Sequence, residues 1–412
     1  MGRREAVTFL THLESTADGS KHAADQPQTV HDGKPLVARY DLAAVGAAVT
    51  RDALRARPET MWRFAELLPI REAQPRASLG EGRTPLLRCP RLAAQLGLQQ
   101  LWIKDESQLP TGSFKARGMA VAVSRAAELG IKRLAAPTQG NAGGALAAYA
   151  ARAGLECWVF MPDDTPLVNR LEVALHGGHA FLVDGLIHDC GAIVRQGIER
   201  MGWFDMSTLR EPYRLEGKKT MGLELAEQLD WHLPDAIFYP TGGGTGLIGM
   251  DKAFAELQEL GWLEEPRTPR FFACQSSGCA PIVSAFAAGA SRGADVPTPH
   301  TIASGVRVPK ALGDFLILDA VRRSGGQALA AAEERVLEWM GWAAALEGIA
   351  LCPETATCIG ALQECVANGT IRPDERVVVF NTGAAQKYVE ALDTELPRLR
   401  RDAIDWDRVA GG

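Results

Sequence analysis

The chain reads as an α/β protein with two doubly wound parallel-sheet domains, and three observations predict this. From Gly80 onward, short apolar runs alternate with longer helical stretches, the pattern of parallel strands covered by helices on both faces. There are more of these units than one sheet usually carries. The 412 residues also suffice for two or three domains around a large buried core.

Residues 1–77 form a preamble of different character. Thr16 to Lys34 is rich in Asp, Gly, His and Gln, which predicts turns rather than core. Asp41 to Ala56 reads as one helix, with Asp41 as its cap and Leu42, Val45, Val49 and Leu54 at roughly helical spacing. Trp62 to Ile70 adds a short amphipathic piece. The preamble is expected to pack on the main body, and it carries no visible chemistry.

The body then supplies its strands in order: Leu101 to Lys104, Leu134 to Pro137, Cys157 to Phe160 and Ala180 to Val183. They continue with Ala236 to Tyr239, Arg270 to Cys274 and Val377 to Phe380. Helical stretches lie between them, among them Ala116 to Leu129, Ala142 to Ala153 and Pro166 to His176. There is no internal repeat and no low-complexity tract.

Bulk properties exclude several classes. The net charge of −6, without a dense Lys/Arg cluster, argues against a nucleic-acid binder. No apolar run is long enough to span a bilayer, and Met1 to Ser20 lacks the apolar centre of a signal peptide. None of the eight cysteines stands in a Cys-x-x-Cys pair, so reduced, buried thiols in a cytosolic protein are expected.

Sites in such folds lie beyond the carboxyl ends of strands, and four junctions carry unusual residues. Pro110-Thr111-Gly112-Ser113-Phe114-Lys115-Ala116-Arg117-Gly118 places one lysine at a helix start among small and hydroxylated residues. A lysine that holds a carbonyl as a Schiff base must be desolvated and aimed in this way, whereas a surface lysine beside a Ser113 cap need not be. Thr138-Gln139-Gly140-Asn141-Ala142-Gly143-Gly144 opens a helix with free amides that suit a carboxylate, with Asn141 as a further donor. An ordinary Gly-rich cap would look similar.

Thr241-Gly242-Gly243-Gly244-Thr245-Gly246 lets backbone approach a phosphate. Its spacing is neither a dinucleotide fingerprint nor a Walker loop, so a monophosphate fits better than a nucleotide. Asn381-Thr382-Gly383-Ala384-Ala385 puts a hydroxyl at a strand end, where it can bond a neutral ring nitrogen without protonating it. It could equally be a helix cap.

These pieces, in this order, resemble the fold-type II enzymes that use pyridoxal 5′-phosphate (the tryptophan-synthase-β-like family), and among them the threonine synthases. The resemblance runs from about Glu81 to Tyr388. It includes Gly80 to Leu86, Lys104-Asp105-Glu106, Arg214-Leu215-Glu216-Gly217-Lys218-Lys219-Thr220, Thr301 to Gly305 with Arg307, Glu347-Gly348-Ile349 and Pro353-Glu354.

The resemblance implies an N-terminal extension (1–77), a large domain (78–115 and 209–412) and a small domain (116–208). It implies Lys115 as the catalytic Schiff-base and proton-transfer residue, with Phe114 packed beside the cofactor. Asn141 would bond the cofactor's 3′-oxygen, and Gly242, Gly243, Gly244, Thr245 and Gly246 would cradle its phosphate. Thr382 would face the pyridine nitrogen. The amides of Thr138, Gln139, Gly140, Asn141 and Ala142 would take the substrate carboxylate.

The implied substrate is O-phospho-L-homoserine, converted with water to L-threonine and phosphate, and the implied assembly is a homodimer. A structural zinc, found in some relatives, is not expected, because no cysteine precedes Cys89. Thr355 stands where a Gly or Ser is usual, so an altered pocket is expected there. Arg170, Lys218, Lys219, Arg307 and Lys310 are candidates to hold the substrate phosphate. A threonine or serine dehydratase, or a threonine-synthase-like paralogue acting on another amino acid, is the nearest alternative, and a non-catalytic binder of a small phosphate ligand or a protein partner is the more distant one.

Overall fold

The computed structural model describes residues 8–72, 77–392, 396, 398–406 and 409. The parts of the preamble at 1–7 and 73–76 lie outside these.

The preamble opens with strands β1 (Leu10–Ser15), β2 (Lys21–His22) and β3 (Leu36–Tyr40), followed by helices α1 (Leu42–Ala48) and α2 (Arg51–Arg55). The strands form an antiparallel sheet in the order β2-β1-β3, so part of the turn-rich stretch is ordered sheet. The single helix expected over 41–56 is two. Val49 is extended at φ −141°, and Thr50 starts afresh by accepting from the Ala53 amide at 3.3 Å. Trp62 to Ile70 corresponds to a 3₁₀ stretch, Met61–Leu67.

The body continues with β4 (Leu86–Arg88), α3 (Pro90–Leu96), β5 (Gln100–Asp105), α4 (Lys115–Glu128), β6 (Arg133–Pro137), α5 (Asn141–Ala153), β7 (Glu156–Pro162), α6 (Leu167–Leu175), β8 (His179–Val183), α7 (Ile187–Met201) and β9 (Phe204–Asp205). Then come α8 (Tyr213–Gln228), β10 (Ala236–Pro240), α9 (Thr245–Glu259), β11 (Arg270–Ser276), α10 (Pro281–Ala287), α11 (Asp314–Arg323), β12 (Gln327–Ala331), α12 (Val336–Glu347), α13 (Pro353–Ala367) and β13 (Arg376–Asn381).

Two further sheets result. One has the order β12-β11-β10-β13-β5-β4, parallel except for the edge strand β4. The other is β8-β7-β6-β9, parallel throughout. Each strand read from an apolar run is present in its predicted sheet type. Among the described residues, no helix is long and apolar enough to cross a membrane.

Helix α8 is the hub, packed on α4 and α9. Fifteen of its sixteen residues, Tyr213 to Glu227, are buried, so its charges must be paired internally. A Cβ at Gly217 would overlap the Arg117 carbonyl of α4; the glycine in the Glu-Gly-Lys-Lys motif is there for helix contact.

Nearby, Arg117 is fully buried, with Nε 2.6 Å from Glu106 and Nη2 3.0 Å from Glu224. Glu224 also pairs with the buried Lys104. Burial opposes the Arg117 charge, but Glu106 and Glu224 outweigh it and hold its pKa above the ordinary value. This cluster ties β5, the turn after it, α4 and α8 together directly behind Lys115.

Candidate active site

The cleft between the two parallel sheets is lined by all four unusual junctions: Phe114 and Lys115, Thr138 to Ala142, Gly242 to Gly246, and Thr382. Strand ends converge there because β6, β10 and β13 all point their carboxyl ends at it, as parallel α/β sheets do.

Lys115 is the first residue of α4. The loop before it is laced to the segment after β13. The Phe114 amide donates to the Thr382 carbonyl at 3.1 Å, and the Ala384 amide donates to the Gly112 carbonyl at 2.8 Å. The Lys115 Nζ lies 4.1 Å from the centroid of the Phe114 ring and makes no hydrogen bond or ion pair among the described residues. Burial, then the positive charge of Arg214, push its pKa down to about 8, against the pull of Glu354.

Lys218 also sits over Phe114, at 4.4 Å, but its Nζ is tied to the Phe114 carbonyl at 2.6 Å, and it does not line the cleft. The free, weakly basic amine facing the cleft is Lys115.

At the second junction the structure corrects one expectation. The Thr138 amide donates to the Phe160 carbonyl at 3.0 Å, and the Gly140 amide donates to the Thr138 hydroxyl at 3.1 Å. Both are spent holding the turn. Gln139 has no such internal bond, and Asn141 and Ala142 open α5, where amides lack helical acceptors. These three amides remain for an anion. Asn141 Nδ2 donates to the Tyr388 hydroxyl at 3.0 Å, which leaves its second N–H.

The glycine loop is closely crowded. A Cβ at Gly242 would lie 2.8 Å from the Gly305 carbonyl, and one at Gly243 2.8 Å from Thr208 Cγ2. At Gly244, with φ +73°, a Cβ would overlap Ile317; at Gly246 it would overlap the Tyr239 hydroxyl. The loop thus presents bare backbone at the N-terminus of α9, where amides and the helix dipole favour an anion.

Thr355 does not line the cleft, contrary to expectation. Its hydroxyl donates to the Phe380 carbonyl at 3.2 Å and accepts from the Thr382 amide at 3.1 Å. It fixes the backbone that carries Thr382 instead.

Four cleft-lining residues hold a buried polar atom without a partner among the described residues: Asn141 Oδ1, Tyr239 Oη, Ser304 Oγ and Glu354 Oε2. Buried polar atoms are ordinarily satisfied, so their convergence here fits a polar ligand with several acceptors and donors. Pyridoxal 5′-phosphate has a phosphate for the bare loop, a carbonyl for Lys115, a 3′-oxygen for Asn141 and a ring nitrogen for Thr382, and so fits.

Of the five cations proposed for a substrate phosphate, only Lys310 lines the cleft. Lys219 is buried between Glu216 and Glu256 at 2.7 and 2.9 Å, and Arg307 pairs with Asp164 at 2.8 Å. Lys218 is tied to Phe114 as above, and Arg170 is turned toward the Asp163 carbonyl at 3.5 Å. The structure adds Arg195, Arg210 and Arg214 to Lys310, along with Tyr388, Ser304 and Glu354. Arg195 and Arg210 flank no motif, so no local signal marks them. Tyr388, an aromatic just past the small residues of 383–385, is the one a reader could have singled out.

The chain belongs to the pyridoxal-phosphate dependent enzyme family, whose match covers residues 77–383. The family's cofactor is pyridoxal 5′-phosphate. Within it, the chain is similar to the threonine synthase of Methanocaldococcus jannaschii, 35% identical over 353 residues, 85% of this chain and 86% of the relative. It is equally similar to that of Methanosarcina acetivorans, 35% identical over 378 residues and 91% of each chain. Among solved structures, maize serine racemase superposes with a TM-score of 0.64 at 22% identity, covering 75% of this chain and 92% of that one. The processed form of threonine deaminase isoform 2 from Solanum lycopersicum gives 0.62 at 20%, covering 75% and 82%. These two likenesses establish the fold.

Proposed function

We propose that this chain is a threonine synthase that converts O-phospho-L-homoserine and water to L-threonine and phosphate. The relatives above carry that name over most of their length and of this one. The observation that carries the reading to the site is the set of cations, Arg195, Arg210, Arg214 and Lys310, lining the same cleft as Lys115. An amino-acid side chain that ends in phosphate needs such a lining; an uncharged one does not.

Pyridoxal 5′-phosphate supplies an electron sink for charge that develops on the substrate carbons. The chain's residues do the rest. Lys115 Nζ would hold the cofactor, and as an amine with pKa about 8 it can take and return a proton at the substrate's Cα near neutral pH. The loop Gly242 to Gly246 would hold the cofactor phosphate, and Phe114 would pack beside the ring. The free Asn141 N–H would serve the 3′-oxygen, and the Thr382 hydroxyl would meet the ring nitrogen without forcing its protonation. The amides of Gln139, Asn141 and Ala142 hold the substrate carboxylate. The cations orient the leaving phosphate.

This reading includes a homodimer in the cytosol; sedimentation velocity on the purified chain checks the assembly. The direct test offers O-phospho-L-homoserine and L-threonine in parallel. Release of phosphate and threonine from the first is expected. Oxobutyrate from the second, with no phosphate from the first, overturns the reading in favour of a dehydratase.

A further inference from the structure

The residues just past β13 form a strip that touches both sides of the cleft. On one side it is laced to the lysine loop through Thr382 and Ala384. Its Lys387 continues that lacing, with Nζ donating to the Thr111 carbonyl at 2.9 Å. Thr111 is a β-branched residue held at φ +62°, a conformation that needs external support.

On the other side, three residues of the strip each meet a different residue of the β8-β7-β6-β9 unit. Lys387 Nζ is 2.6 Å from Glu172 on α6, the Tyr388 hydroxyl accepts from Asn141 on α5, and Glu390 accepts from the Leu167 amide at 2.8 Å.

Lys387 binds both sides, and the sequence makes room for its partner. A Cβ at Gly144 would overlap the Glu172 carboxylate, so the last glycine of the Asn-Ala-Gly-Gly run clears the path by which Glu172 reaches Lys387. Gly112, at φ +59°, brings its backbone against the Lys387 chain, where a Cβ would stand 3.4 Å from Cδ. Lys387 is 6% exposed and does not line the cleft.

We propose that the Lys387–Glu172 pair is a latch: Lys387 is a positioning residue that seats the α5–α6 unit, and with it the amides of Gln139, Asn141 and Ala142, against the loop that aims Lys115. Gly144 is the clearance that lets the latch close. The inference rests on the geometry, and only its kinetic readout draws on the proposed activity.

The test compares K387M, E172Q and the double variant with the parent protein, first by hydrogen–deuterium exchange without cofactor. K387M is expected to speed exchange about tenfold or more in both 109–116 and 167–175, because a buried charge pair stripped of one partner is strongly weakened. E172Q should speed 167–175 alone, since Lys387 keeps its Thr111 carbonyl. The double variant should exchange no faster than K387M.

Kinetically, both single variants should raise KM for the amino-acid substrate about tenfold with kcat changed less than threefold, a split that loss of fold would not produce. Unchanged local exchange, or effects of the two substitutions that simply add, overturns the latch. Should K387M fail to fold, E172Q decides: unchanged exchange over 167–175 overturns the proposal. Failure of the threonine synthase reading removes only the kinetic arm and leaves the exchange result intact.

Discussion

The depressed basicity of Lys115 makes a quantitative prediction. Its ammonium loses water on burial and faces Arg214, and its pKa falls from 10.5 to about 8. The neutral amine is the nucleophile, so attachment should speed up with rising pH and level off once the amine is fully deprotonated. At about pH 7.5, an amine with pKa about 8 is roughly one quarter neutral, against about one part in a thousand at the ordinary value, a gain of roughly 200-fold. The assay is stopped-flow absorbance of pyridoxal phosphate mixed with apoprotein, with initial rates taken across pH. The half-maximal rate should fall near pH 8. Replacing Arg214 with Gln removes a repelling charge and should move the midpoint upward. A rate still climbing tenfold per unit beyond pH 10 refutes the reasoning.

Three further outcomes follow from the geometry. G244A places a Cβ on Ile317 at a positive φ, so equilibrium titration should show weaker cofactor binding, with about 1–3 kcal/mol lost in denaturant unfolding. R117M strips the buried Glu106 carboxylate of its guanidinium partner while Glu224 keeps Lys104, and should cost about 3–5 kcal/mol in the same unfolding assay. The pair R210A/K310A should raise KM for O-phospho-L-homoserine about a hundredfold or more while leaving the cofactor absorbance unchanged, because each of the two charged hydrogen bonds contributes about 1.5–3 kcal/mol.

What the sequence disclosed and what it hid divide along physical lines. Strands buried on both faces, such as Val377 to Phe380, are continuous apolar runs and read directly. β12, Gln-Ala-Leu-Ala-Ala, is built of helix formers and is a strand because it completes the sheet beside β11; tertiary pairing overrides propensity. The break at Val49 and Thr50 hides inside an unbroken helical spacing.

The glycine loop and the Lys115 loop were legible because their chemistry is local backbone chemistry. The partners of Asn141, Thr382 and Glu354 were not. Tyr388 lies 247 residues from Asn141, Thr355 27 from Thr382, and Gly305, whose amide bonds Glu354, 49 away. The same distance in sequence hid the meaning of Gly144, which reads as part of an anion cradle and instead clears a path for Glu172.

The central claim is that Lys115, among several buried lysines, carries the cofactor. Borohydride reduction of the pyridoxal phosphate-loaded protein, followed by mass mapping of its peptides, tests it most directly. The account predicts one reduced pyridoxyl group, on Lys115, and none on Lys104, Lys218, Lys219 or Lys387. A label on Lys218, its neighbour across Phe114, or no label at all, contradicts it.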